Sequence, residues 1–224
     1  MAKIRERLGR KDELSGYARV FGHPELGLLF SKTQACVISA GTELEKILVS
    51  KSPHSLKYND FVERIPNLSK LSQPLLLLYD LPTIEKKKGD FLIVWPSKAN
   101  GIVVEIKEGD TFDTKKSDGE KESLGFLAQH YSRILGIKVS YALSSFYVST
   151  REQIKIGTKS RFDNEHALTG RELCSMIEVN YAEIVEARKA DEKDNLNYFL
   201  DKMLDMPDIR KMIEAKLSTR NDND

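Results

Sequence analysis

The sequence predicts an α/β protein, a central mixed β-sheet flanked by helices with a helical C-terminal part. Three observations carry this reading. Two apolar runs, Asp90–Trp95 and Ile102–Lys107, stand on either side of a Pro96-Ser-Lys-Ala-Asn-Gly101 connection, the pattern of a hairpin. Helical periods precede and follow that hairpin, at residues 33–49 and 117–135. A third β-rich run, Lys138–Thr150, comes after the second helix, and the chain then returns to helical spacing.

Taken in order, residues 1–31 read as a helix and then a loop, with Gly16, Gly22-His23-Pro24 and Gly27 as breakers. From Thr33 to Val49, the apolar residues Val37, Ile38, Leu44, Ile47 and Leu48 can share one helix face, and Gly41 weakens the middle. Tyr58–Leu68 is a second helical stretch, interrupted at Pro66, and Leu75–Leu81 is a strand-sized apolar run ended by Pro82. After the hairpin, the helix over 117–135 stops at Gly136, a residue suited to the left-handed turn that closes helices. Beyond Arg151 the pattern gives a polar loop and then helices over 169–180, 181–190 and 193–217. Residues 1–224 are read as a single domain, with its core over 33–150.

Composition narrows the class. Hydrophobic residues make up 40% and charged residues 31%, enough apolar material for a core, which excludes a disordered or fibrous chain. No run approaches the roughly 20 apolar residues needed to span a bilayer. The opening Met1-Ala-Lys-Ile-Arg-Glu-Arg-Leu mixes both charge signs and lacks an apolar signal segment, so a cytoplasmic protein with no membrane partner is expected. Cys36 and Cys174 are too few and too far apart in sequence for a metal cluster or a disulfide framework. Lys plus Arg is 35 against 34 for Asp plus Glu, so net charge alone does not point to nucleic acid. Local clusters still can: Lys86-Lys87-Lys88, Lys107 with Lys115-Lys116, and Lys155, Lys159 and Arg161. The chain has no H-x-x-x-H pair, no phosphate-binding G-x-x-x-x-G-K and no G-x-S-x-G elbow, which argues against zinc, P-loop and serine-nucleophile chemistry.

The informative stretch is Gly89-Asp90, then fourteen residues, then Glu105-Ile106-Lys107. Of five acid-x-lysine triplets in the chain, only Glu105–Lys107 lies inside a β-like apolar run. Side chains alternate along a strand, so Glu105 and Lys107 share a face while Val104 and Ile106 take the other. A hairpin would bring Asp90, at the start of the neighbouring strand, alongside them. Two carboxylates suit Mg²⁺, which takes hard oxygen ligands and shares itself with a substrate phosphate. A nearby ammonium can stabilise the charge that grows on the phosphate. The competing reading is a cross-strand salt bridge on a half-exposed sheet face, worth about 0.2–1 kcal/mol.

Asp90 and Glu105-Ile106-Lys107, with their strand context, resemble the PD-(D/E)xK nuclease superfamily, Gly89 standing where the signature names proline. The order helix, strand, strand, helix, strand over 33–150 matches that superfamily's core, and Gly109–Glu120 resembles the segment after the lysine in certain type II restriction endonucleases. The resemblance implies a restriction-endonuclease-like core. It implies Asp90 and Glu105 as Mg²⁺ ligands and Lys107 as the residue acting at the attacking water or phosphate. It also implies hydrolysis of double-stranded DNA by a homodimer, whose two-fold symmetry mirrors palindromic sites. Gly41-Thr-Glu-Leu-Glu45 is similar to a pattern on the helix before the catalytic hairpin in some of these nucleases, which makes Glu45 an auxiliary acid, with Glu43 the other choice.

Candidate DNA contacts are Lys115, Lys116, Arg151, Lys159, Arg161 and Asn164, cationic or amide side chains able to meet phosphates or base edges. Residues 151–217 are expected to serve DNA recognition or dimerisation. Two other functions fit the same residues: a structure-selective repair or junction nuclease on this core, and a non-catalytic module binding nucleic acid or protein. Metal-dependent cutting separates the last from both nucleases.

Overall fold

The computed structural model describes residues 2–9, 16–63, 73–109 and 114–221, the side chains of 114–116, 220 and 221 aside. The helices are α1 (Gly16–Phe21), α2 (Pro24–Lys51), α3 (Tyr58–Val62), α4 (Thr114–Leu135), α5 (Arg151–Gly157), α6 (Gly170–Met176), α7 (Tyr181–Leu204) and α8 (Pro207–Asn221). The strands are β1 (Ser55–Lys57), β2 (Leu76–Tyr79), β3 (Phe91–Trp95), β4 (Asn100–Lys107), β5 (Lys138–Ser145) and β6 (Ala167–Thr169). They form one six-stranded sheet in sequence order, so the fold is the mixed α/β arrangement that the sequence predicts. β2, β3 and β4 pair antiparallel, while β1 with β2, β4 with β5 and β5 with β6 pair parallel.

The described residues fall into two compact units, one formed by 1–44 and 183–224, the other by 45–182. The second holds the sheet. Phe91–Val94 are all buried, as a strand covered on both faces requires. Trp95 pairs with Asn100 across a tight connection in which Ala99 takes a left-handed φ of 49°. Leu124, Leu127, Ala128, Tyr131 and Leu135, at helical spacing, lay α4 on the sheet in a cluster with Leu92, Val94, Val103 and Leu143. Gly136, with φ of +65°, ends α4 as expected.

The first unit gathers Ala2, Ile4, Leu26, Leu29, Cys36 and Met206, with Phe30 stacked on Phe21 and edge-on to Phe199. Asn195 ties down the chain's start, accepting from the Ile4 N–H at 2.7 Å and donating to the Ala2 carbonyl at 2.9 Å.

Several expectations need correction. Gly27 is no breaker: it lies inside α2, where an added Cβ would come within 2.6 Å of the Ala18 backbone. Glycine there lets α1 and α2 meet backbone to backbone. The break is at Gly22, φ +62°, and Pro24 opens α2, where its missing N–H costs nothing. Val37 and Ile38 are exposed, and α2 buries Cys36, Ala40, Leu44 and Leu48 at a regular spacing of four. Small residues on the buried stripe mislead a reading based on size. The polar loop expected after Arg151 holds α5 and β6, and β5 stops at Ser145. Residues 181–204 are one continuous helix, because the charged run Asp191–Asp194 contains neither Gly nor Pro to break it. Pro66 and the end of the expected helix over 58–68 lie outside the described residues.

Candidate active site

Asp90 extends the β3–β4 ladder by one step, its N–H donating to the Val104 carbonyl at 3.0 Å. Its carboxylate turns back onto β4, where Oδ2 accepts the Ile106 N–H at 2.7 Å. Gly89 is tightly enclosed: an added Cβ would stand 2.8 Å from Val103 Cγ1. Glycine at this position has a local cause, since Val103 fills the space a β-carbon would need.

On β4, Glu105 and Lys107 do share a face. Lys107 Nζ lies 2.8 Å from Glu105 Oε1 and 2.7 Å from Glu120 Oε1, a carboxylate delivered by α4. Glu45 reaches the same group from α2, close enough for its charge to act on both Asp90 and Glu105. Glu43 pairs with Arg7 at 3.5 Å. Residues two apart on a helix point about 200° apart around the axis, so only one of the two glutamates can face the site.

The electrostatics follow from this crowding. Burial, and then the Glu45 charge, push Asp90 up to about 6 against the pull of the Ile106 N–H. Burial and then Asp90 push Glu105 up to about 7. Burial and then Glu105 also raise Glu45. For Lys107, burial disfavours the charge, but Glu105 and Glu120 outweigh it and hold the ammonium above its ordinary value. Lys88 is a further cation whose field reaches Glu45 and Asp90. A cleft of about 370 Å³ opens beside Glu105 and Glu120, and Lys86, Lys87 and Lys88 also line it.

Glu120 is the residue that sequence reasoning missed in any role of its own. It lies one helical repeat before Leu124 and Leu127, in line with the stripe that faces the sheet. An acid on an otherwise apolar stripe was the readable sign.

Over 224 aligned residues, the chain is 35% identical to the type II restriction enzyme HhaII of Haemophilus parahaemolyticus, spanning 96% of this chain and 99% of HhaII. The chain belongs to the type II restriction enzyme family. No protein-family model and no solved structure matches it.

Of the residues expected to contact DNA in this restriction endonuclease, Arg151, Arg161 and Asn164 are engaged with other protein groups. Arg151 Nε binds Glu172 Oε1 at 2.8 Å and its Nη1 the Asn164 carbonyl at 2.8 Å, joining α5 to the start of α6. Arg161 pairs with Asp118 at 2.8 Å, two residues before Glu120 on α4. Asn164 donates to Glu152 Oε2 at 3.3 Å, and Lys159 is exposed in a left-handed turn with φ of 50°. The side chains of Lys115 and Lys116 lie outside the described residues. Cys36 and Cys174 are buried, and burial pushes the Cys174 thiol up to about 12, which leaves it inert. Among the described residues no helix is long and apolar enough to cross a membrane.

Proposed function

We propose that this restriction endonuclease is Mg²⁺-dependent, recognises a specific sequence in double-stranded DNA and hydrolyses a phosphodiester bond there as a cytoplasmic homodimer, on a PD-(D/E)xK-type site. The observation that carries the reading is the Lys107 ammonium, held between Glu105 and Glu120 on the strand beside Asp90, in a chain of this family.

The donor set fits the ion. Asp90 and Glu105 offer hard oxygens, and one or two carboxylates are what Mg²⁺ takes from a protein while keeping waters and substrate phosphate. Their raised pKa values mark buried acidic charge with too little positive charge near it. A bound divalent cation would reverse both shifts. Among the described residues no three acidic, imidazole or thiol groups stand ready to enclose an ion, so water and phosphate would complete the shell. Bound there, Mg²⁺ would polarise a phosphoryl oxygen and lower the pKa of an attacking water.

The chain's own groups do the positioning. The Ile106 N–H fixes one Asp90 oxygen and leaves the other for the metal. Lys107 donates to the attacking water or to the phosphoryl oxygen where negative charge grows. Glu105 and Glu120 fix the direction of its Nζ. Glu45 supports the metal region as an auxiliary acid. Lys115, Lys116 and Lys159 would meet phosphates, which position without specifying; Arg151, Arg161 and Asn164 would have to exchange their present partners for DNA.

Digestion of a phage DNA of known sequence with Mg²⁺ tests the reading. Discrete fragments are expected. A smear would favour a nonspecific or structure-selective nuclease, and intact DNA a binding module.

A further inference from the structure

The connection between β2 and β3 contains a two-residue reverse turn in an unfavourable conformation. Ile84 and Lys87 exchange both backbone hydrogen bonds at 2.8 Å. Between them, Glu85 and Lys86 have φ of 47° and 66°. Turns with two left-handed residues normally use Asn-Gly, because a Cβ crowds the backbone there. Strain of this kind persists only where the surroundings hold it, and such places concentrate at functional sites. Here Ile84 packs against the sheet core, and the Lys87 ammonium sits 4.6 Å from the ring centroid of Phe126 on α4.

The turn and the residue after it place three successive lysines on the wall of the cleft that holds Glu105 and Glu120. They are not equivalent. Lys88 acts on the carboxylates, where its charge offsets a small part of the rise in Glu45 and Asp90. Lys86 is exposed at the tip, Lys87 is held by a ring face rather than by an acid, and among the described residues neither makes an ion pair. A site walled by Glu45, Asp90, Glu105 and Glu120 repels a polyanion. A strand entering it needs fixed positive charge at the lip.

We propose that the Ile84–Lys87 turn is a phosphate subsite, in which Lys86 and Lys87 bind the backbone of the DNA strand entering the cleft, next to the phosphodiester presented to Lys107. The inference rests on the nuclease reading above. It assigns to this turn affinity without base preference.

The test uses Lys86→Asn, which suits a left-handed φ, and Lys87→Met, an uncharged side chain long enough to reach the Phe126 ring. Lys138→Asn is the control, the same charge change at the Asn100 end of the sheet, far along β5 from Ser145 beside Lys107. Binding of a fluorescein-labelled mixed-sequence duplex is measured by anisotropy in Ca²⁺ across a salt series, with thermal unfolding alongside. Each of the two variants is expected to weaken binding about five- to tenfold and to flatten the slope of log K against log salt by about one, the signature of one lost phosphate contact. Cleavage at low enzyme should fall in step and recover as enzyme is raised. Unchanged affinity and slope in both variants, or an equal loss in Lys138→Asn, would overturn the subsite even while the wild type cleaves. A wild type that binds but never cleaves sinks the nuclease reading instead, and the anisotropy series still judges the turn.

Discussion

Glu120, on α4, holds the Nζ of Lys107 at 2.7 Å while Glu105, on β4, holds it at 2.8 Å, so two carboxylates from different elements aim one ammonium. The strand alone leaves a long flexible side chain with one neighbour. The helix removes that freedom, because a lysine gripped at two points has few rotamers left.

Removing the second grip should therefore slow chemistry without unfolding the protein. Glu120→Ala is expected to cut the single-turnover rate about tenfold, or ~1.4 kcal/mol of barrier, and Glu120→Gln by less, since the amide oxygen still accepts. The pair is partly exposed, so stability should move by no more than about 1 kcal/mol. A rate loss in Glu120→Ala that Glu120→Gln does not relieve would mean that the glutamate acts otherwise than by aiming Lys107.

The acidic pair predicts a pH dependence for the metal-free protein. Asp90 and Glu105 are raised to about 6 and about 7 by burial first and then by neighbouring carboxylates. Raised folded-state values mean that the folded protein holds these protons more tightly than the unfolded chain. Their contribution to stability is thus fully present below about pH 4 and is lost as the pH rises through the two folded values. With EDTA present, Tm should fall across that window. Adding Ca²⁺ should raise Tm more at about pH 8 than at about pH 5, because deprotonated carboxylates bind the ion. Asp90→Asn should flatten both trends. An equal Ca²⁺ effect at the two pH values would place the ion elsewhere.

How much of this was legible in the sequence depended on whether one segment or several decided the outcome. The hairpin, the helix closed by Gly136 and the shared face of Glu105 and Lys107 are consequences of local periodicity, and the sequence carries them openly. The start of α5 and the β6–α6 junction carry a local signal too: Thr150 with Gln153, and Thr169 with Glu172, are reciprocal caps of the T-x-x-Q/E form. β6 itself, three residues long, draws its stability from pairing with β5 and has no pattern of its own. The buried face of α2 is not marked by its largest apolar residues, because Cys36 and Ala40 are small and are buried where Val37 and Ile38 are exposed. Glu120 and Glu45 reach the site from separate helices, a juxtaposition that only the tertiary fold creates.

Lys107 itself separates a reacting group from a salt bridge. Lys107→Ala should lower single-turnover cleavage by orders of magnitude at saturating enzyme, which keeps weakened affinity from posing as a chemical defect. It should also leave Glu105 and Glu120 facing each other without a cation, so the Ca²⁺-dependent rise in Tm should persist or grow. Cleavage within a few-fold of wild type would make the lysine structural.

The tight seat of Gly89 yields a prediction about stability that is independent of cleavage. A methyl at 89 would meet Val103 Cγ1 at 2.8 Å, nearer than carbon atoms tolerate, and Val103 is fully buried with a stiff β-branched side chain. Gly89→Ala should therefore destabilise by about 1–3 kcal/mol, the usual cost of overpacking. Val103→Ala alone should also destabilise, by opening a cavity. Combined, the two changes should cost less than their sum, because each relieves the fault of the other; neighbours in contact show coupling of about 0.5–3 kcal/mol. Denaturant midpoints for the four proteins of the cycle measure it. Because Gly89 immediately precedes Asp90, cleavage by the single Gly89→Ala variant should fall as the shifted backbone moves the carboxylate, and Val103→Ala should restore part of it. Strict additivity in stability would show that residue 89 and Val103 do not compete for the same space, and the account of why glycine stands at this position would be lost.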